Sequence, residues 1–214
     1  MLRQIAKPME DKLKHKFLKS GPLLRVELFS DAVFAIAITL LIVDIKVPDV
    51  TSSAQLLNSL SRLWPHFLSY FISFLIIAMQ WVDHHEMFEH IEECDRGLLW
   101  LNMLFLMCIA FLPFPTALVG SYPNERVAVL IYSVAIVCAI LVKTCLWRYV
   151  AIWRRLVKPD LTAKQVSSIT SMGTARFGVS VVLLIFAYFW PDFALRLWSF
   201  FGIVSLFFRV RKNH

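Results

Sequence analysis

Five side chains between positions 84 and 90 (His84, His85, Glu86, Glu89 and His90) carry donors of the kind that bind a divalent metal. On a helix, His85 with Glu89 and Glu86 with His90 stand one turn apart, the spacing that lets two ligands hold one ion. A centre built from His84, His85, Glu89 and His90 would make an intramembrane metal-dependent enzyme. Against that reading, the chain has no HExxH pair, P-loop, dinucleotide fingerprint or Ser/His/Asp triad. A second set of polar groups, Arg25, Glu27, Ser30 and Asp31, interrupts an apolar run. Charged groups inside a span face protein or water and mark function. Arg25 can snorkel to the interface. Asp31 is deeper and short, so its carboxylate needs donors. Trp81, His84, His85 and Asn102, expected at the same depth, supply indole, imidazole and amide groups. The ordinary role of such a cluster is a structural hydrogen-bond network.

The elements that hold these groups follow from composition. The 214 residues are 58% hydrophobic and 17% charged, against roughly 45–50% and about 25% in ordinary soluble domains. Disorder, collagen-like repeats and a disulfide-rich secreted module are excluded. Cys94, Cys108, Cys138 and Cys145 sit in or beside apolar runs, which suits buried thiols and not a disulfide framework. Hydrocarbon about 30 Å thick needs roughly 20 apolar helical residues to cross it. The sequence predicts an all-α integral membrane protein with six spans, at about 26–45, 63–84, 98–119, 127–148, 173–190 and 192–209. Pro191-Asp192 divides the last apolar stretch into two, Asp192 being suited to an N-cap. Five crossings and a re-entrant segment is the competing count. One membrane domain, 25–210, lies between basic tails 1–24 and 211–214.

The formal charge of +7 raises nucleic acid as a partner, but no aromatic platform or binding motif accompanies the lysines. Where the charges lie says more. Lys46, Arg62, Arg126 and Arg196 fall outside, Lys143 lies within a helix, and the other seventeen of the 22 basic residues fall inside. That bias places both termini in the cytoplasm. The first nineteen residues lack an apolar core, so they are not read as a cleaved signal peptide. Six of the seven tryptophans fall near span ends, as interfacial anchoring expects. Thr162-Ala-Lys-Gln165 fits a capping box and predicts a short surface helix. Pro113 and Pro115 are expected to kink or end the third helix. Thr116-Ala-Leu-Val-Gly120-Ser-Tyr122 lacks the order of a carbonyl-lined potassium filter and is read as an outer loop.

Arg25-Val-Glu-Leu-Phe29-Ser30-Asp31 reads as RxxxFSD, followed by Ala-Val-Phe-Ala-Ile36-Ala-Ile-Thr39-Leu40-Leu-Ile-Val43. This resembles the signature of the transmembrane protein 175 family, the lysosomal potassium channels and their bacterial relatives. The Trp81…His84-His85 stretch is also similar to the family pattern. Eukaryotic members carry two six-helix repeats and this chain one RxxxFSD, so the resemblance implies the bacterial form. It implies a homotetramer in the bacterial inner membrane, with helix one lining a central pore, permeant potassium and other monovalent cations, and no cofactor. It also implies a leak-type channel with no enzymatic activity, a proton-permeable channel being an alternative. Carried over, the pore face is Ile36, Thr39 and Val43, with Leu40 beside them; their spacing of three, four and seven residues places all four on one helix face. Val43 is smaller than the leucine often found at that level, which puts a second constriction there in doubt. Arg25, Phe29, Ser30, Asp31, Trp81, His84, His85 and Asn102 would form the polar network fixing that helix.

Overall fold

The computed structural model describes residues 2–50, 52–191, 193, 196–198 and 200–201. It is all-helical: α1 (Leu2–Leu40), α2 (Ser53–Arg62), α3 (Trp64–Glu89), α4 (Arg96–Phe111), α5 (Pro113–Ser121), α6 (Arg126–Arg148) and α7 (Ala163–Phe189). A π-helical turn, Tyr149–Trp153, continues α6. Among the described residues, four stretches are long and apolar enough to cross a membrane: α3, α4 with α5, α6 with its π turn, and α7. The chain is a multi-pass membrane protein. In α1 the charges of Arg25, Glu27 and Asp31 interrupt the apolar half, so it stands apart from those four. The expected span 192–209 lies largely outside the described residues, and the tail 211–214 wholly so.

Three local outcomes differ from the sequence expectation, each for a physical reason. First, α1 begins far ahead of position 26 and ends at Leu40, not 45. Beyond it the N–H groups of Leu41, Val43 and Ile45 reach back only three residues, to Ile38, Leu40 and Ile42 (3.3, 3.2 and 3.1 Å). Ile42, Val43 and Ile45 are β-branched, and Pro48 pushes Val47 away from helical geometry, so the helix tightens and stops. Second, the stretch Thr116–Ser121 is helical and packed, not a loop. Pro113 ends α4 as expected, but at the first position of α5 it costs no hydrogen bond and starts a new helix. Third, the capping box of Thr162 and Gln165 is present, yet it opens the 27-residue α7 and not a short surface helix. No proline interrupts 163–189, so nothing stops that helix before the bilayer.

Packing follows from these elements. α6 lies at the centre, against α7, α4 and α5, while α1 packs on α4 and α3. One apolar core gathers Phe34, Ile77, Phe105, Tyr132 and Ile136, and a second gathers Phe88, Ile91, Leu98, Leu146 and Val150. Lipid is as apolar as these cores, so helix–helix stability comes from close packing and interhelical hydrogen bonds. One such set links α5, α3 and α6: the Thr116 hydroxyl donates to Ser73 Oγ (2.8 Å), which bonds the Tyr132 hydroxyl (2.9 Å).

The turn between α3 and α4 is tied to the segment after the π turn. Ile91 pairs antiparallel with Val157, and the N–H groups of Glu92 and Glu93 both donate to Leu156 O. Gly97 is required here: a Cβ at that position would sit 2.0 Å from the Tyr149 hydroxyl oxygen. That hydroxyl crosses over the glycine to donate to Asp95 Oδ2 (2.8 Å).

Candidate functional site

α1 has two unlike faces. Leu23, Val26, Ser30, Phe34, Ala37 and Leu41 are buried against the rest of the chain. Their steps of three and four residues trace a single stripe. On the opposite side Ile36 and Val43 are 58% and 69% exposed, and Thr39 and Leu40 lie open beside them. Ile36, Thr39 and Leu40 share one face of regular helix. Val43 lies in the tightened turn, where a near-three-residue period still keeps it under Leu40.

The Thr39 hydroxyl lies 3.0 Å from Ala35 O and 2.9 Å from Ile36 O, carbonyls of its own helix. A hydroxyl has one proton and two acceptor lone pairs. With the proton given to the backbone, the oxygen keeps its electron-rich side for a cation.

The buried face is held by a chain of neutral hydrogen bonds. Asn102, on α4 and fully buried, donates through Nδ2 to Ser30 Oγ (3.0 Å), and Ser30 donates to Val26 O (2.8 Å). Asn102 Oδ1 in turn lies 2.9 Å from His84 Nε2 on α3. With the amide nitrogen committed to Ser30, Oδ1 is the acceptor, so His84 carries its proton on Nε2. Phe88 stacks on the His84 ring at 4.2 Å, with Phe105 and Phe34 at 5.6 and 5.7 Å. One turn earlier on α3, the Trp81 indole N–H donates to Asp31 Oδ1 (2.8 Å).

The expected network is thus brought together at five positions: Ser30, Asp31, Trp81, His84 and Asn102. His85 enters only by stacking on Trp81 (5.8 Å) and by lying 3.7 Å from Glu89. Arg25 and Phe29 stand on the exposed side of α1. The candidate metal ligands are divided. His84 points inward to Asn102, His85 and Glu89 are exposed, and the His90 ring lies near Trp147 at 6.5 Å. Among the described residues, no three His, Cys, Asp or Glu side chains converge as a metal would need.

A further cluster escapes the sequence reading. Lys143 of α6 donates to Gln80 Oε1 and to Asp83 Oδ2 on α3, the latter at 2.6 Å. Arg176 of α7 donates to the same Asp83 oxygen at 2.5 Å. The signal was present: a lysine within a span requires a counter-charge. Asp83 lies 60 positions from Lys143 and 93 from Arg176 along the chain, a pairing no local pattern reveals.

Comparison with known proteins bears on the same helix. Residues 25–113 match the family model described as Endosomal/lysosomal potassium channel TMEM175. Over 197 residues the chain is 36% identical to a protein of Chamaesiphon minutus named a potassium channel, spanning 88% of this chain and 94% of that one. A protein of Streptomyces collinus, also named a potassium channel, is 43% identical over 143 residues, 65% of this chain and 69% of the other. A crystal structure described as a lysosomal potassium-selective channel TMEM175 homolog from Chamaesiphon minutus superposes with a TM-score of 0.77. The identity there is 32%, over 91% of this chain and 100% of that one. With its RxxxFSD helix inside the matched segment and near-complete coverage of a relative of similar length, this chain belongs to the TMEM175 family of channels.

Proposed function

We propose that this chain is the subunit of a leak-type, potassium-permeable channel in a bacterial inner membrane. Four copies surround a common axis with α1 innermost, each chain crossing six times with both termini cytoplasmic. A relative named a potassium channel, matched along 94% of its length, supports the ion. The excess of Lys and Arg on one side supports the orientation.

The observation that carries the pore assignment is the exposed strip Ile36, Thr39, Leu40 and Val43 on a helix whose other face is locked in place. Four isoleucines facing one another make a constriction that a hydrated cation enters only by shedding water. Thr39, directly beyond, presents four hydroxyl oxygens whose protons are bound elsewhere. Potassium holds its water less tightly than sodium, so it loses less in passing such a ring. The polar lock does not touch the ion. It holds the register of α1, so that the ring closes on one level.

Potassium and sodium flux into liposomes containing the purified protein tests this. Ile36→Asn is expected to wet the constriction, raising flux several-fold and bringing the two ions closer together. Flux and preference equal to the unaltered protein would overturn the pore assignment. In a background with the four native cysteines replaced by serine, Ile36→Cys should be blocked by a charged, water-borne thiol reagent. A lipid-facing position would not react.

A further inference from the structure

A cavity of about 290 Å³ opens where α3 and α6 end and α7 begins. Its walls include Trp147, Ile169 and Met172, and its floor is formed by Asp83, Lys143 and Arg176. The floor is positive in sum: two cations converge on a single oxygen of one carboxylate. The guanidinium of Arg176 is planar, with five N–H donors, of which one is given to Asp83 Oδ2. Its side chain is about one-third exposed, so it faces the opening as well as the floor. Ser168 and Gln165 line the cavity from the first turns of α7, while Glu86, exposed on α3, brings negative charge to the same lining.

All of these residues lie at the same ends of three membrane-crossing helices. Trp147, itself almost buried, donates its indole N–H to Thr170 Oγ1 (2.9 Å), which ties α6 to α7 at this end and fixes the edge of the ring that lines the cavity. We propose that this cavity binds a singly charged phosphodiester, its phosphoryl oxygens on Arg176 above the Lys143–Asp83 pair and its apolar part against Trp147, Ile169 and Met172. The Arg fork matches phosphate oxygens geometrically. Charge balance sets the class: the lining holds two cations, Lys143 and Arg176, against two carboxylates, Asp83 and Glu86, so a head carrying several phosphates brings more negative charge than the site can balance. The same chemistry has two sources, a membrane phospholipid or a soluble glycerophosphodiester, and the apolar wall suits the lipid. The site lies on α3, α6 and α7, so it does not depend on α1 lining the pore.

Native mass spectrometry of the full-length protein tests this, after extraction from vesicles of phosphatidylglycerol or of a phosphatidylinositol bisphosphate in neutral carrier lipid. A parallel arm adds soluble glycerophosphoglycerol to protein delipidated in detergent and reads the melting temperature. Retention of phosphatidylglycerol several-fold above the bisphosphate lipid supports the lipid source. A melting shift of a few degrees with the soluble diester, without lipid retention, supports the same site with a soluble source.

Two variants tie either result to the cavity. Arg176→Gln removes the fork. Gly173→Leu fills the space: a Cβ there meets only Thr144, at an ordinary 3.8 Å, and a melting temperature equal to that of the unaltered protein shows that the fold is kept. Both should lower retention or shift at least five-fold. Binding unchanged in Gly173→Leu, preference for the bisphosphate lipid, or no binding in either arm overturns the proposal.

Discussion

Two polar clusters at similar depth are built on opposite principles. Around Asn102, three neutral side chains from α1, α3 and α4 form one hydrogen-bonded line, boxed in by Phe34, Phe88 and Phe105. Around Asp83, three charged side chains from α3, α6 and α7 meet at one oxygen beside an open cavity. The neutral line needs no water and fixes a single register, which a helix whose outer face is proposed to line the pore requires. The ionic cluster needs a polar opening, because burying charge without one is costly. A rigid joint and a wet pocket are the respective results, separated by less than one turn between Asp83 and His84.

Removing the centre of the ionic cluster should have the largest effect. Asp83→Ala leaves Lys143 and Arg176 facing each other, and breaking such a partly buried set costs about 3–5 kcal/mol. Adding Lys143→Met to it should recover more than half of the loss. Thermal unfolding in detergent measures both, and additivity of the two substitutions would show that the charges are not coupled.

The neutral line predicts a smaller but more specific loss. Asn102→Leu leaves the His84 Nε2–H without an acceptor, at about 1–3 kcal/mol for a buried polar group left unsatisfied, while Ser30 keeps its bond to Val26 O. If that line sets the register of α1, potassium preference over sodium should fall before the fold is lost. Asn102→Leu with intact selectivity would make the line a simple brace. Trp81→Phe removes only the donor to Asp31, a charge-assisted bond worth about 1.5–3 kcal/mol when shielded and less here, where both side chains are exposed. Its effect should be the smaller of the two in the same assay.

How far these clusters could be read from the chain depends on whether their cause is local. Asp31 within an apolar run demanded a donor, and Trp81 is among the groups the sequence offered. The break at Pro113 and the capping box at Thr162 are local chemistry and were legible. The helix from Pro113 to Ser121 was not, because a proline that stops one helix also suits the first position of the next. The length of α7 was hidden for a related reason: a good N-cap says where a helix starts and nothing about where it ends. The convergence of Lys143 and Arg176 on Asp83 depends on how α6 and α7 sit against α3, which no spacing along the chain encodes. The face proposed to line the pore is an intermediate case. The spacing of Ile36, Thr39 and Leu40 makes one strip, but only the buried stripe of Ser30, Phe34 and Ala37 opposite shows which side the chain leaves open.

A third carboxylate, outside the spans, completes the comparison at the smallest scale. Asp95 caps α4 by accepting from the Leu98 N–H (2.8 Å), and its other oxygen accepts from the Tyr149 hydroxyl (2.8 Å) and from Arg154 Nε (3.1 Å). Partial burial opposes its ionisation. The Leu98 N–H, the Tyr149 hydroxyl and Arg154 together outweigh that and hold its carboxyl below the usual carboxylate range. A folded-state value below the unfolded one means the stabilisation is complete above the ordinary carboxylate range and drains away as pH falls through the folded value. Melting temperature should therefore be flat near neutrality and decline under acid conditions. Asp95→Asn still caps the helix but carries no charge, so its melting curve should lose part of that acid decline. Asp95→Ala should cost about 1 kcal/mol at neutral pH as well, the usual value of a lost N-cap. Equal acid sensitivity in all three proteins would mean that the decline arises from other carboxylates.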